Sequence, residues 1–108
     1  MTLADSKKLT VIFRIEPGCL GPEGLSHVDK FCVKAGLKLQ STAPAYITWQ
    51  VEPRHDKTLP EIDYAILGRA LSRDHAKRYL SHFNLEIDKF EMTAFDELPE
   101  IIDQYFGR

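Results

Sequence analysis

Ile62-Asp63-Tyr64-Ala65-Ile66-Leu67-Gly68-Arg69-Ala70-Leu71 is the stretch on which the reading of this chain turns. Its apolar side chains fall on both parities, with Ile62, Tyr64 and Ile66 on one side and Ala65, Leu67 and Leu71 on the other. A strand that is apolar on both faces belongs in the middle of a sheet, with its second face covered. The pattern therefore predicts one long central strand over 62–71. Upstream, Tyr46-Ile47-Thr48-Trp49-Gln50-Val51 alternates with Ile47, Trp49 and Val51 inward, and a polar loop with two prolines joins it to the central strand. Earlier still, Leu25, Val28, Cys32 and Ala35 recur at helical spacing, with Gly36 placed as a C-cap. The first strand runs over 9–16, with Val11, Phe13 and Ile15 on one face and Ile12, Arg14 and Glu16 on the other.

Downstream, Ser72 can cap a second helix and Asp74 suits its first turn, while Ala76, Tyr79, Leu80 and Phe83 form the inward stripe. Asn84 ends that helix, residues 87–93 read as a fourth strand, and Asp96 opens a third helix with Leu98, Ile101, Ile102, Tyr105 and Phe106 apolar. Strand, helix, strand, strand, helix, strand, helix is the order of a split βαβ arrangement. The expected class is α+β: a ferredoxin-like βαββαβ two-layer sandwich with an additional C-terminal helix, its sheet antiparallel with segments one and three innermost. A chain of 108 residues with 44% hydrophobic content suits a single domain over 1–108.

A net charge of -2 argues against a protein that coats nucleic acid. The base-stacking module that shares this element order needs aromatics on strands one and three, and only Phe13, inward, and Tyr64 are offered. No apolar run reaches the ~20 residues of a membrane span, and the polar start is unlike a signal peptide. The expectation is a cytoplasmic protein with Cys19 and Cys32 reduced.

The remaining motifs are weak. Gly18, Gly21 and Gly24 precede the first helix, yet they match no phosphate-binding motif, and Glu23 is badly placed for an anion. Cys19 lies in the same loop without a marked histidine partner. His75 and His82 share a helix face but stand roughly 10 Å apart along its axis, too far to hold one ion. Asp96, Glu97 and Glu100 fit first-turn acids better than paired catalytic groups. No catalytic residue, metal ligand or cofactor is therefore assigned.

Charge distribution says more. Residues 1–83 hold 12 Lys/Arg against 9 Asp/Glu, whereas residues 84–108 hold 2 against 7. Arg69, Arg73, Lys77 and Arg78 gather around the second helix as candidates for binding an anion, an acidic partner or the acidic tail of the same chain. Ile12, Arg14, Tyr46 and Thr48, with Leu67, are candidates for a partner surface on the outer sheet face. The functional expectation is a binding or regulatory interaction module that pairs with itself as a homodimer, without membrane or nucleic-acid partners. The competing expectation is a small-molecule binder or enzyme with a pocket between the sheet and the third helix.

Overall fold

The computed structural model describes residues 7–108. It is α+β, with a four-stranded mixed sheet and three helices, compatible with a two-layer arrangement. Strand β1 (Leu9–Ile15) leads through a 3₁₀ turn (Pro17–Leu20) into α1 (Gly24–Ser41), followed by β2 (Ile47–Pro53), β3 (Ile62–Ile66), β4 (Arg69–Leu71), α2 (Arg73–Ser81) and α3 (Ile87–Phe106). The sheet order is β2-β1-β3-β4, so β1 and β3 are central as the pattern predicts. The layer is not wholly antiparallel, because β1 and β2 are parallel neighbours joined through α1 while β3 and β4 run antiparallel. A parallel pair needs such a crossover, and the helix supplies it.

Two elements differ from the sequence reading, and together they replace βαββαβα by βαβββαα. Residues 62–71 form a hairpin rather than one strand: Ile66 pairs with Arg69 across a two-residue turn in which Leu67 (φ 51°) and Gly68 (φ 75°) are both left-handed. That is the signature of a type I′ turn. The change of apolar parity after Ile66 marks the reversal, where the reading saw two covered faces. Residues 87–93 are helical, the first two turns of α3, which continues to Phe106 with Pro99 inside it. Seven residues with apolar groups at 87, 90 and 92 fit either period, and the longer helical stripe Ile87, Phe90, Ala94, Leu98, Ile101 resolves them.

The turn gives a direct prediction. Leu67 carries a side chain at positive φ and is 62% exposed, so it contributes little packing and costs backbone strain. Leu67→Asn should give the preferred Asn-Gly turn and raise unfolding stability by roughly 0.5–1 kcal/mol in urea titration. A loss of stability would show that the turn is not of this type.

Every inward residue of β1, Leu9, Val11, Phe13 and Ile15, is buried, and the covering side chains come from all three helices. Val28, Phe31, Cys32, Ala35 and Leu39 of α1 pack with Phe13, Ile15, Ala94 and Ile101, whereas Ala76, Leu80 and Ile87 pack with Leu9, Val11, Ile47 and Tyr64. The three helices therefore share one face of the sheet. Leu25, read as part of the α1 stripe, is exposed, because the buried arc centres on Gly24, Val28, Phe31 and Ala35 instead. Gly36 lies inside α1, which runs on to Ser41, so it is not the C-cap.

The opposite face is lined by Thr10, Ile12 and Arg14 of β1, beside Thr48, Gln50 and Glu52 of β2 and Asp63 and Ala65 of β3. Ile12 is its one large aliphatic side chain on these strands. Tyr46 does not join it: the chain is still turning there, with Ile47 N–H donating to Pro44 O, so the strand's alternation does not extend back to Tyr46. Its ring stacks on Phe83 at 3.8 Å and 10°, on the helix side.

Candidate functional site

The last turn of α1, the outer strand β2 and the first half of α3 enclose a groove of about 440 Å³. Leu39, Tyr46, Trp49, Leu85, Phe90 and Ala94 give it an apolar lining, and Thr42, Asn84, Glu86, Lys89, Thr93 and Glu97 provide the polar groups. Its position follows from local structure. Trp49 has the same parity as the buried Ile47 and is turned toward the helices, where its ring lies parallel to Phe90 at 5.5 Å and 12°. On its other side it meets Phe13 at 6.2 Å. Short side chains, Thr42 and Ala43 just beyond the end of α1 and Thr93 and Ala94 from α3, leave a trough that larger groups would fill.

Gln40 holds this wall in place. Its side-chain nitrogen donates to Ile47 O at 3.0 Å, and its oxygen accepts the Trp49 N–H at 2.8 Å. The side chain thus satisfies two outward backbone groups of the rim strand, the type of cover that protects a sheet edge from pairing with another chain.

The polar groups are unequally engaged. Glu86 pairs with Lys89 at 3.2 Å, and the Thr42 and Thr93 hydroxyls donate to the Leu39 and Lys89 carbonyls of their own helices. Glu97 is half-buried and makes no hydrogen bond or ion pair among the described residues. Sequence reasoning placed Glu97 among ordinary first-turn acids, Trp49 in the core and Phe90 in a strand. Only a correct helical assignment for 87–93 would have put Phe90 and Glu97 on one face.

Compared with protein-family models, curated proteins and solved structures, the chain matches none.

The basic cluster is divided by the fold. Arg73 donates to Asp88 at 2.7 Å and to Glu91 at 3.2 Å, joining the start of α2 to the acidic α3. Glu91 also accepts from the Tyr64 hydroxyl at 2.5 Å. Tyr64 is only 2% exposed, and burial together with the Glu91 carboxylate pushes its ionisation well above the usual tyrosine range. Arg69, Lys77 and Arg78 remain exposed without an ion pair among the described residues. His75 and His82 are exposed on α2, and no group of three or more His, Cys, Asp or Glu side chains at ligand spacing occurs among the described residues.

The glycine loop borders a second, open recess of about 370 Å³ together with Arg54, His55 and Lys57. Arg54 is spent on structure: it donates to Glu16 at 2.6 Å and to the carbonyls of Lys57 and Leu59. Cys19 lies in the 3₁₀ turn, where partial burial and the nearby Glu16 and Glu61 carboxylates hold its thiol above the ordinary value. That is the reverse of an activated nucleophile.

Cys32 is buried, and desolvation, with Asp29 and Glu52 adding, pushes its thiol up to about 12. Because the unfolded thiol ionises near ~8.5, the folded state holds the extra proton between these values, and stability falls as pH rises through that window. A disulfide-exchange reagent at pH 8 should titrate one thiol in the native protein and two in urea. A Cys32→Ala variant should lose less stability than the parent between pH 9 and 11. Equal alkaline sensitivity would exclude Cys32 as a source of the effect.

No helix among the described residues is long and apolar enough to cross a membrane.

Proposed function

We propose that this chain is a small binding module whose ligand occupies the groove between β2 and α3. The observation that carries the reading is the concave aromatic wall of Tyr46, Trp49 and Phe90 above a volume of about 440 Å³. Small-molecule sites are concave, mainly apolar and fitted with a few polar groups, in a volume range of roughly 300–1,000 Å³. Two unpaired cysteines, one of them buried, fit a reducing cytoplasmic setting.

Trp49 is the single tryptophan of the chain, so its emission reports on the groove directly. A screen of small aromatic and aliphatic metabolites should find compounds that change this emission saturably and raise the melting temperature, because a ligand of the folded state must stabilise it. The effect should disappear in Thr93→Phe, which fills the trough from an exposed lining position and leaves Trp49 the single tryptophan, provided that variant keeps its melting transition. Compounds that stabilise the protein equally in both forms would place binding elsewhere and remove this reading.

Self-association is a second reading, supported by the sheet face on which no described helix packs. Pairing through Thr10, Ile12, Thr48 and Gln50 would cover it, with Arg14 at its margin. Sedimentation equilibrium that gives a monomer at several hundred micromolar would dismiss it, while a dimer abolished by Ile12→Lys would support it. The exposed Arg69, Lys77 and Arg78 would then serve as a surface for acidic groups on such a partner.

A further inference from the structure

We infer that the groove selects a small organic cation, an amine or quaternary ammonium carried on an apolar body; this rests on the groove being the binding site. Among its lining residues the only charged groups are Glu86, Glu97 and Lys89. Lys89 is matched by Glu86 at 3.2 Å, which leaves the half-buried Glu97 carboxylate without an ion-pair partner among the described residues. Lys38 lines an adjoining recess with Glu97 and Glu100, yet it donates to Gln104 at 2.8 Å and forms no ion pair with either acid.

Three further features favour positive charge over negative. Tyr46 and Phe90 line the groove and are each stacked on one face only, by Phe83 and Trp49, so each keeps a second negative ring face, and a cation within about 6 Å of such a face is attracted to it. The C-terminal end of α1, the negative end of its dipole, opens onto the groove at Leu39 and Thr42. The opposing positive end of α3 already has Glu86 at its N-cap and Asp88 in its first turn. An anionic ligand would meet Glu97 with no unpaired cation among the described residues that line the groove, Lys38 lying in the adjoining recess, whereas a cation would complete the groove's charge balance and leave its apolar body against Leu39, Leu85 and Phe90.

The test compares three probes of similar shape: 2-phenylethyltrimethylammonium, 2-phenylethanol and 3-phenylpropionate, each titrated against Trp49 emission at low salt. The ammonium should bind at least tenfold more tightly than the carboxylate and several-fold more tightly than the alcohol. Glu97→Gln should reduce the preference for ammonium over carboxylate to threefold or less. That variant should keep its melting temperature, because Glu97 has no partner to lose. Alcohol or carboxylate binding as well as the ammonium, or an unchanged preference in Glu97→Gln, overturns the inference and leaves the groove itself standing. If none of the three probes changes the emission or the melting temperature at millimolar concentration, the groove reading falls and the inference falls with it.

Discussion

Gly24→Ala is expected to remove at least about 3 kcal/mol of stability, the largest loss among the alanine replacements of this chain's glycines. A Cβ built on Gly24 would lie 1.7 Å from Pro17 O and 2.6 Å from its carbon. The obstacle is backbone on both sides, so no rotamer change relieves it. Either the N-terminus of α1 moves away from the 3₁₀ turn or the turn itself opens. Both movements pull Val28 and Leu20 from the core around Ile15. Gly36→Ala, in the same helix, supplies the control. Its added Cβ would meet Val51 at an ordinary 3.7 Å, and replacing a helix-interior glycine should gain roughly 0.5–1 kcal/mol. In thermal unfolding the two variants should shift in opposite directions, Gly24→Ala downward by ~10 °C or more. Similar shifts for both would mean that the close approach of α1 to Pro17 does not limit the fold.

Arg14→Ala should cost about 2 kcal/mol and loosen the 54–61 loop, although Arg14 sits on the side of the sheet away from the helices. The Arg14 side chain is only 10% exposed. Its Nε lies 3.4 Å from Glu52, one Nη lies 3.3 Å from Asp63, and the same nitrogen donates to Pro60 O at 2.9 Å. Removing it leaves two carboxylates facing one another and frees the loop end. Losing one partner of a fully buried pair costs roughly 3–5 kcal/mol, but Glu52 and Asp63 are 39% and 36% exposed, so solvent screens part of the effect. Urea titration of Arg14→Ala, alone and combined with Glu52→Gln and Asp63→Asn, measures the coupling. The combined variant should be more stable than the sum of its separate losses. Strict additivity would show the three charges to be independent.

This cluster changes how the outer sheet face is understood. Sequence alternation assigned Arg14 to that side correctly, as it did Ile12 and Thr48, because side-chain direction in a strand is fixed locally. It could not indicate that the loop returning from β2 closes over Arg14, since Pro60 and Asp63 are 46 and 49 residues away. Tyr46 shows the opposite limit: its parity matched Thr48, but the turn at Pro44 lies outside the alternating strand, so its ring went to Phe83. Of the groove, only a space beside a third helix opening at Asp96 was legible, and Glu97 alone of its lining belongs to that helix as the sequence reads. Its walls were not, because Trp49 and Phe90 come together only if residues 87–93 coil.

What the amino-acid order determined by itself were the local periods: the alternation of β1 and β2, the stripes of α1 and α2 apart from Leu25 and Phe83, which are exposed, the Ser72 cap that accepts the His75 N–H, and a central position for β1 and β3. These depend on backbone geometry and on which side chains avoid water, and both are encoded within a few residues. The tertiary structure decided the rest. Residues 87–93 are compatible with either period, and packing Ile87 and Phe90 against the sheet selects the helix. Arg73 could have faced solvent or a partner, and the arrival of α3 beside α2 commits it to Asp88 and Glu91. In each case the chain offers two local solutions of similar free energy, and contacts between segments distant in sequence supply the difference.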